Sequence, residues 1–114
     1  MFYVLILVLI HGTERSSLQA DVVGPYDTLQ ECTETAKGYT ASAAEMASLA
    51  SGGHVKPYCL DLAHATPLLA SHGCAKQSES GPPLMVLDSQ GHAIPGKVDR
   101  VHRETRYNCD ASTM

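Results

Sequence analysis

Four cysteines and six histidines are the side chains of this 114-residue chain best suited to do chemistry. Cys59, His64, His72 and Cys74 fall as C-x4-H-x7-H-x-C, four nitrogen and sulfur donors of the kind that hold zinc in a tetrahedron. The spacing matches no common finger and no C-x2-C pair is present, so zinc is an alternative and the expectation is a protein without cofactor. A thiol relay is the second chemistry. His72-Gly73-Cys74 with Asp61 holds the residue types of a base, a nucleophile and an orienting acid. No G-x-S-x-G, phosphate-binding loop, H-E-x-x-H or G-x-G-x-x-G accompanies them, so no residue is assigned a catalytic role and the chain reads as non-enzymatic.

Disulfide formation is the third. Cys32, Cys59, Cys74 and Cys109 allow three pairings. Cys32 lies one turn into a predicted helix and Cys59 in the strand that follows. Both can point into a helix–sheet interface, which makes a Cys32–Cys59 bridge geometrically natural. Elimination then pairs Cys74 with Cys109, tying the C-terminal segment to the end of a short helix. In a chain-entropy picture each bridge contributes about 2–4 kcal/mol. In a reducing cytosol the same residues would be buried thiols acting as small hydrophobes, and the sequence leaves both states open.

The elements that must position these groups are organised around Phe2–Ile10, nine apolar residues without a charge or a breaker. The run is too short to span a bilayer as a helix, which takes about 20 residues. As a secretory signal it lacks a basic leader, and a Leu stands three residues before the candidate cut after Ala20. A fully buried central strand is the better reading. Leu18–Val23 alternates as a half-buried strand and closes a hairpin on the first. Gly24-Pro25-Tyr26 then breaks the chain. Asp27 with Gln30, or Thr28 with Glu31, caps a helix expected over 28–51 and ended by Gly52-Gly53. Its apolar stripe is Leu29, Cys32, Ala36, Tyr39, Ala43, Met46 and Ala50. Residues 55–62 form a third strand, which Pro57 assigns to an edge or a bulge.

Beyond that β-β-α-β core, Thr66-Pro67 predicts a short helix ending at Gly73. Residues 75–83 read as a polar loop, and Leu84–Leu87 as a strand turning at Asp88–Gly91. Arg103–Cys109 has weak strand character, and the last five residues are expected to fray. The fold class expected is α+β: a small antiparallel sheet crossed by one long helix, with a C-terminal hairpin extension. It makes one domain, 1–114, with a core over about 1–73 and the extension over about 84–109.

The formal charge is −4, and the cations are scattered apart from a loose group at Arg100, Arg103 and Arg106. That composition speaks against a nucleic-acid surface, which needs clustered Lys and Arg.

Tyr3-Val4-Leu5-Ile6-Leu7, Gly24-Pro25-Tyr26-Asp27-Thr28, Glu31-Cys32 and Tyr58-Cys59 together resemble small proteins encoded by bacteriophages and mobile elements. The resemblance covers residues 1–62 and implies a fold rather than an activity. Such proteins are often single-domain inhibitors of host defence, anti-CRISPR proteins among them. The resemblance therefore implies a non-enzymatic module that binds a host protein or complex in the cytoplasm, without a membrane span. The Leu84–Val101 hairpin and the 75–83 segment are the suspected surface, because they are least needed to cover the first strand. The alternative is a disulfide-stapled periplasmic or secreted module whose first twenty residues are removed.

Overall fold

A computed structural model describes residues 1–12, 14–49, 53–80 and 84–113 of the chain. Strand β1 spans Phe2–His11, β2 Ser16–Tyr26 and β3 Gly53–Leu60, with helix α1, Leu29–Leu49, between the last two. Helix α2 follows at Leu62–Ser71. Strands β4 (Ala75–Ser80), β5 (Leu84–Leu87), β6 (Ala93–Asp99) and β7 (Arg103–Cys109) complete the regular elements, and a single 3-10 turn covers Ala111–Thr113. The fold is α+β. One antiparallel sheet has the order β3-β1-β2-β7-β4, and β5 with β6 makes a separate two-stranded ribbon.

The apolar run does what its composition demands. Val4, Ile6 and Val8 point to the face covered by α1, where Cys32, Ala36, Tyr39 and Ala43 pack on them. Leu5, Leu7 and Leu9 point to the opposite face, against Ala65, Leu68 and Leu69 of α2. Residues 4–9 are all 8 % exposed or less, so β1 is buried on both faces. Each such side chain contributes about 1.5–3 kcal/mol of burial. Removing the first twenty residues, as the signal-peptide alternative requires, would take out β1 and half of β2.

Of the two caps offered to α1, Thr28 is used: its Oγ1 accepts the Glu31 N–H at 3.1 Å. Leu29 of the expected stripe is 52 % exposed. The predicted stop at Gly52, the stripe position Ala50 and the loop positions 81–83 lie outside the described residues, as does the side chain of Met46.

Several expectations are corrected. The sheet carries a helix on each face instead of one, because α2 covers the Leu5/Leu7/Leu9 side. That helix starts at Leu62, not Thr66. Asp61 is its N-cap and accepts the His64 N–H at 3.0 Å, which leaves Pro67 inside the helix. β3 accordingly stops at Leu60. β2 does not break at Gly24 but runs on to Tyr26. Residues 75–80 are a strand and not a loop. β4 is polar because it lies at the rim with its described side chains exposed, and its pairing with β7 rather than its own propensity makes it a strand. β7 leaves the expected extension and enters the main sheet beside β2. Of the last five residues, 110–113 are tied down and Met114 lies outside the described residues: the Asp110 N–H donates to the His72 carbonyl at 2.8 Å, and Thr113 Oγ1 lies 2.7 Å from His72 Nδ1.

Gly38, an unfavourable residue in mid-helix, has a packing reason. A Cβ there would lie 2.6 Å from the Asp88 carbonyl oxygen and 3.0 Å from the Leu87 Cβ. Gly91, at φ +84°, approaches Ser42 and Ala41 equally closely from the other side of the contact. The β5–β6 turn is thus seated on α1 through two residues without side chains.

Candidate functional site: two clefts beside helix α1

The four cysteines form two disulfides, Cys32–Cys59 and Cys74–Cys109. The first joins α1 to β3. The second joins the start of β4 to the end of β7. Both thiols of the C-x4-H-x7-H-x-C string are therefore consumed. Its histidines are engaged elsewhere, His64 Nδ1 with Asp61 Oδ1 at 2.6 Å and His72 with Thr113. The string is not assembled as a ligand set, and no cluster of three or more His, Cys, Asp or Glu able to hold a metal occurs among the described residues. Cys74 also has no free thiol to act in a relay with His72 and Asp61.

Two clefts flank α1 and differ in chemistry. On the hairpin side, Tyr26, Tyr39, Asp21, Asp99, His102, Glu104 and Arg106 line a cleft roofed by Met85 and Leu87. Its charged groups at the sheet end pair with one another. Arg106 Nε donates to Asp21 Oδ1 at 3.0 Å, with Glu104 beyond at 3.7 Å. The His102 ring stacks on Tyr26 at 4.0 Å and its Nδ1 meets Asp99. Burial, with the negative charges of Glu104, Asp99 and Asp21, pushes the Tyr39 phenol up to about 12. Burial also raises the Glu104 carboxyl, and Asp21 adds to it against the pull of Arg106. Burial opposes ionisation of Asp99, but the amides of His102 and Val101 and the His102 ring outweigh it and hold the carboxyl low. Every buried side-chain polar atom among the described residues has a partner. A ligand that reached Asp21, Arg106, Asp99 or His102 would have to displace bonds already made, whereas Glu31, Glu34 and the Tyr39 hydroxyl, which also line this side, make no side-chain hydrogen bond among the described residues.

The groove on the other side of α1 is built from small residues. Ala36, Ala41 and Ala44 of the helix face Pro57 and Cys59 of β3, leaving a trough of about 550 Å³. Thr33, Lys37 and Thr40 complete the helix wall. The Cys32–Cys59 bridge spans from helix to strand and fixes their separation. The hollow exists because alanines and a proline stand where larger side chains would fill it.

Ser89 of the β5–β6 turn also lines it, and elsewhere its outer boundary is the end of the sheet. β3 pairs with β1 on one side and, among the described residues, with no strand on the other. Lys37 on the helix wall and Lys56 on the strand make no ion pair among the described residues. The groove was not found in the sequence. Its only signal there is the small-residue stripe of α1 facing an edge strand marked by Pro57.

The surface suspected from the sequence is only partly retained. Residues 75–80 belong to the sheet, whereas the ribbon does expose apolar side chains: Met85, 65 % exposed, is the cross-strand partner of Val98, 44 % exposed. No helix among the described residues is long and apolar enough to cross a membrane. Comparison of the chain with family models, with curated proteins and with solved structures finds no match.

Proposed function

We propose that this protein is a non-enzymatic protein-binding module that works in an oxidising environment and receives its partner in the α1–β3 groove. The groove carries the reading: an apolar trough that is open, has walls linked by the Cys32–Cys59 bridge and lies on a sheet edge with no strand beyond it among the described residues. Recognition sites are concave and mostly apolar with few polar groups, and the polar side chains here are Thr33, Thr40, Tyr58, Ser89 and Lys37. The opposite cleft is richer in titratable groups, but Arg106 and Asp21, and His102 and Asp99, are committed to each other.

Two disulfides in so small a chain favour an oxidising compartment over the cytosol expected from the resemblance. The kinship suggested by residues 1–62 supplies a partner class, a protein of a host cell. A second reading places recognition on the β5–β6 ribbon, and the exposed Met85–Val98 pair favours it.

Photo-crosslinking separates the two. With benzoylphenylalanine at position 33, 98 or 77 of the oxidised chain, the groove reading expects a discrete adduct from position 33 in source-cell extract and none from 77. An adduct from 98 alone would move recognition to the ribbon.

A further inference from the structure

We infer that the occupant of the groove is an extended, acid-bearing peptide segment that adds to the sheet as a sixth strand alongside β3. The inference rests on the groove reading and adds to it the form and charge of what binds.

The main chain argues for the form. β3 is a terminal strand of eight residues, with a row of backbone groups facing away from β1. Such a row is a template for an incoming strand, whose alternate side chains fall to the two faces of the sheet. Side chains on the α1 face would enter the trough between Ala36, Ala41 and Ala44 and the β3 wall, which has room for valine- or threonine-sized groups. Pro57 withholds one donor, so the ladder would be interrupted there and strengthened elsewhere by contacts in the trough.

Charge argues for the acids. Along β3, Val55 and Cys59 belong to the α1 face, and Tyr58 to the α2 face. Lys56 alternates with them onto the α2 face, while Lys37 stands on the α1 face. The edge is therefore flanked by one cation on each side of the sheet. Neither has an anionic partner among the described residues, so an added strand could pair a carboxylate on either face.

The same residues argue against a second copy of this chain. Antiparallel pairing of β3 with itself, same face to same face near its middle, sets either the two Lys56 side chains or the two Pro57 residues opposite each other. Like charges weaken the first arrangement and missing donors the second.

The test uses the full oxidised chain and two fluorescein-labelled decapeptides. Both alternate valine with serine; one carries two aspartates and the other two lysines in their place. Fluorescence anisotropy should show the aspartate peptide binding at least tenfold more tightly than the lysine peptide. Lys37→Glu with Lys56→Glu should abolish that preference, and Ala44→Trp, which fills the trough, should weaken both. Bound peptide should slow hydrogen exchange along Gly53–Leu60.

Equal binding of the two peptides, or binding without protection of β3, overturns the inference. If neither peptide binds while the position-33 adduct persists, the occupant is wrong and the groove reading stands; loss of that adduct as well removes both. Light scattering covers the remaining case, since a concentration-dependent dimer that protects β3 would replace the peptide with a second copy.

Discussion

The sheet ends differently on its two sides. At one end β4 lies outside β7 with a register shift between Lys76 and Ser78 and a Lys76–Glu79 ion pair on its surface. Bulges and charges are the devices by which edge strands avoid further pairing. At the other end β3 carries Lys56 and Pro57, which also blunt an edge, but it pairs with β1 without a register shift and borders an apolar trough. Each end is held by its own disulfide, so neither is loose. The difference is chemical, and the proposed strand addition at β3 rests on it.

The largest expected effect tests the staples. Replacing Cys32 and Cys59 by Ser, or Cys74 and Cys109 by Ser, should each cost about 2–4 kcal/mol in urea unfolding, because the bridged separations of 27 and 35 residues are similar. Only the first pair should also weaken peptide binding, since it alone fixes a groove wall. Equal binding losses from both would break the distinction between the ends.

Next, Gly38→Ala gains about 1 kcal/mol of helix propensity yet drives a methyl against the Asp88 carbonyl. The expected net outcome is destabilisation of about 1 kcal/mol or more, with faster hydrogen exchange in residues 84–99 and unchanged exchange in β1. Uniform acceleration would mean that the ribbon is part of the core unit.

A smaller effect concerns pH. Glu104 titrates above the usual carboxylate range, so its charge weakens the fold at neutral pH and the penalty fades as pH falls through its raised value. Glu104→Gln should raise the thermal midpoint at pH 7, with the gain vanishing toward about pH 4. Asp88 has the opposite sign. The amides of His92 and Gln90 hold its carboxyl low, so its contribution is present above the ordinary value and lost as pH drops through the lowered one.

The smallest change in stability is expected from Lys76→Val with Glu79→Val, both exposed on β4. The thermal midpoint should hardly move, because exposed pairs contribute little. Self-association measured by light scattering should nonetheless rise, as the second edge loses its charges.

What was legible in the sequence was whatever one segment dictates by itself. The Phe2–Ile10 run pointed to a strand buried on both faces, Pro57 to an edge or a bulge, and the helix-then-strand placement of Cys32 and Cys59 to their pairing in the oxidised state, while leaving the redox state open. What was not legible depends on partners distant in sequence. Ala75–Ser80 has a loop's composition and becomes a strand only because β7 lies beside it. Thr66-Pro67 carries a helix-start signal, but Asp61 offers an earlier cap and the sheet face rewards burying Ala65. The groove is a hollow left by small side chains, and no motif records a hollow.

Peptide-induced shift mapping of the 15N-labelled, oxidised chain tests the difference between the ends most directly. On titration with the valine–aspartate peptide, the account predicts that the largest amide shift changes fall on 53–60 and 33–44, with none along 75–80. Changes centred on 84–99, or on β4, would contradict it.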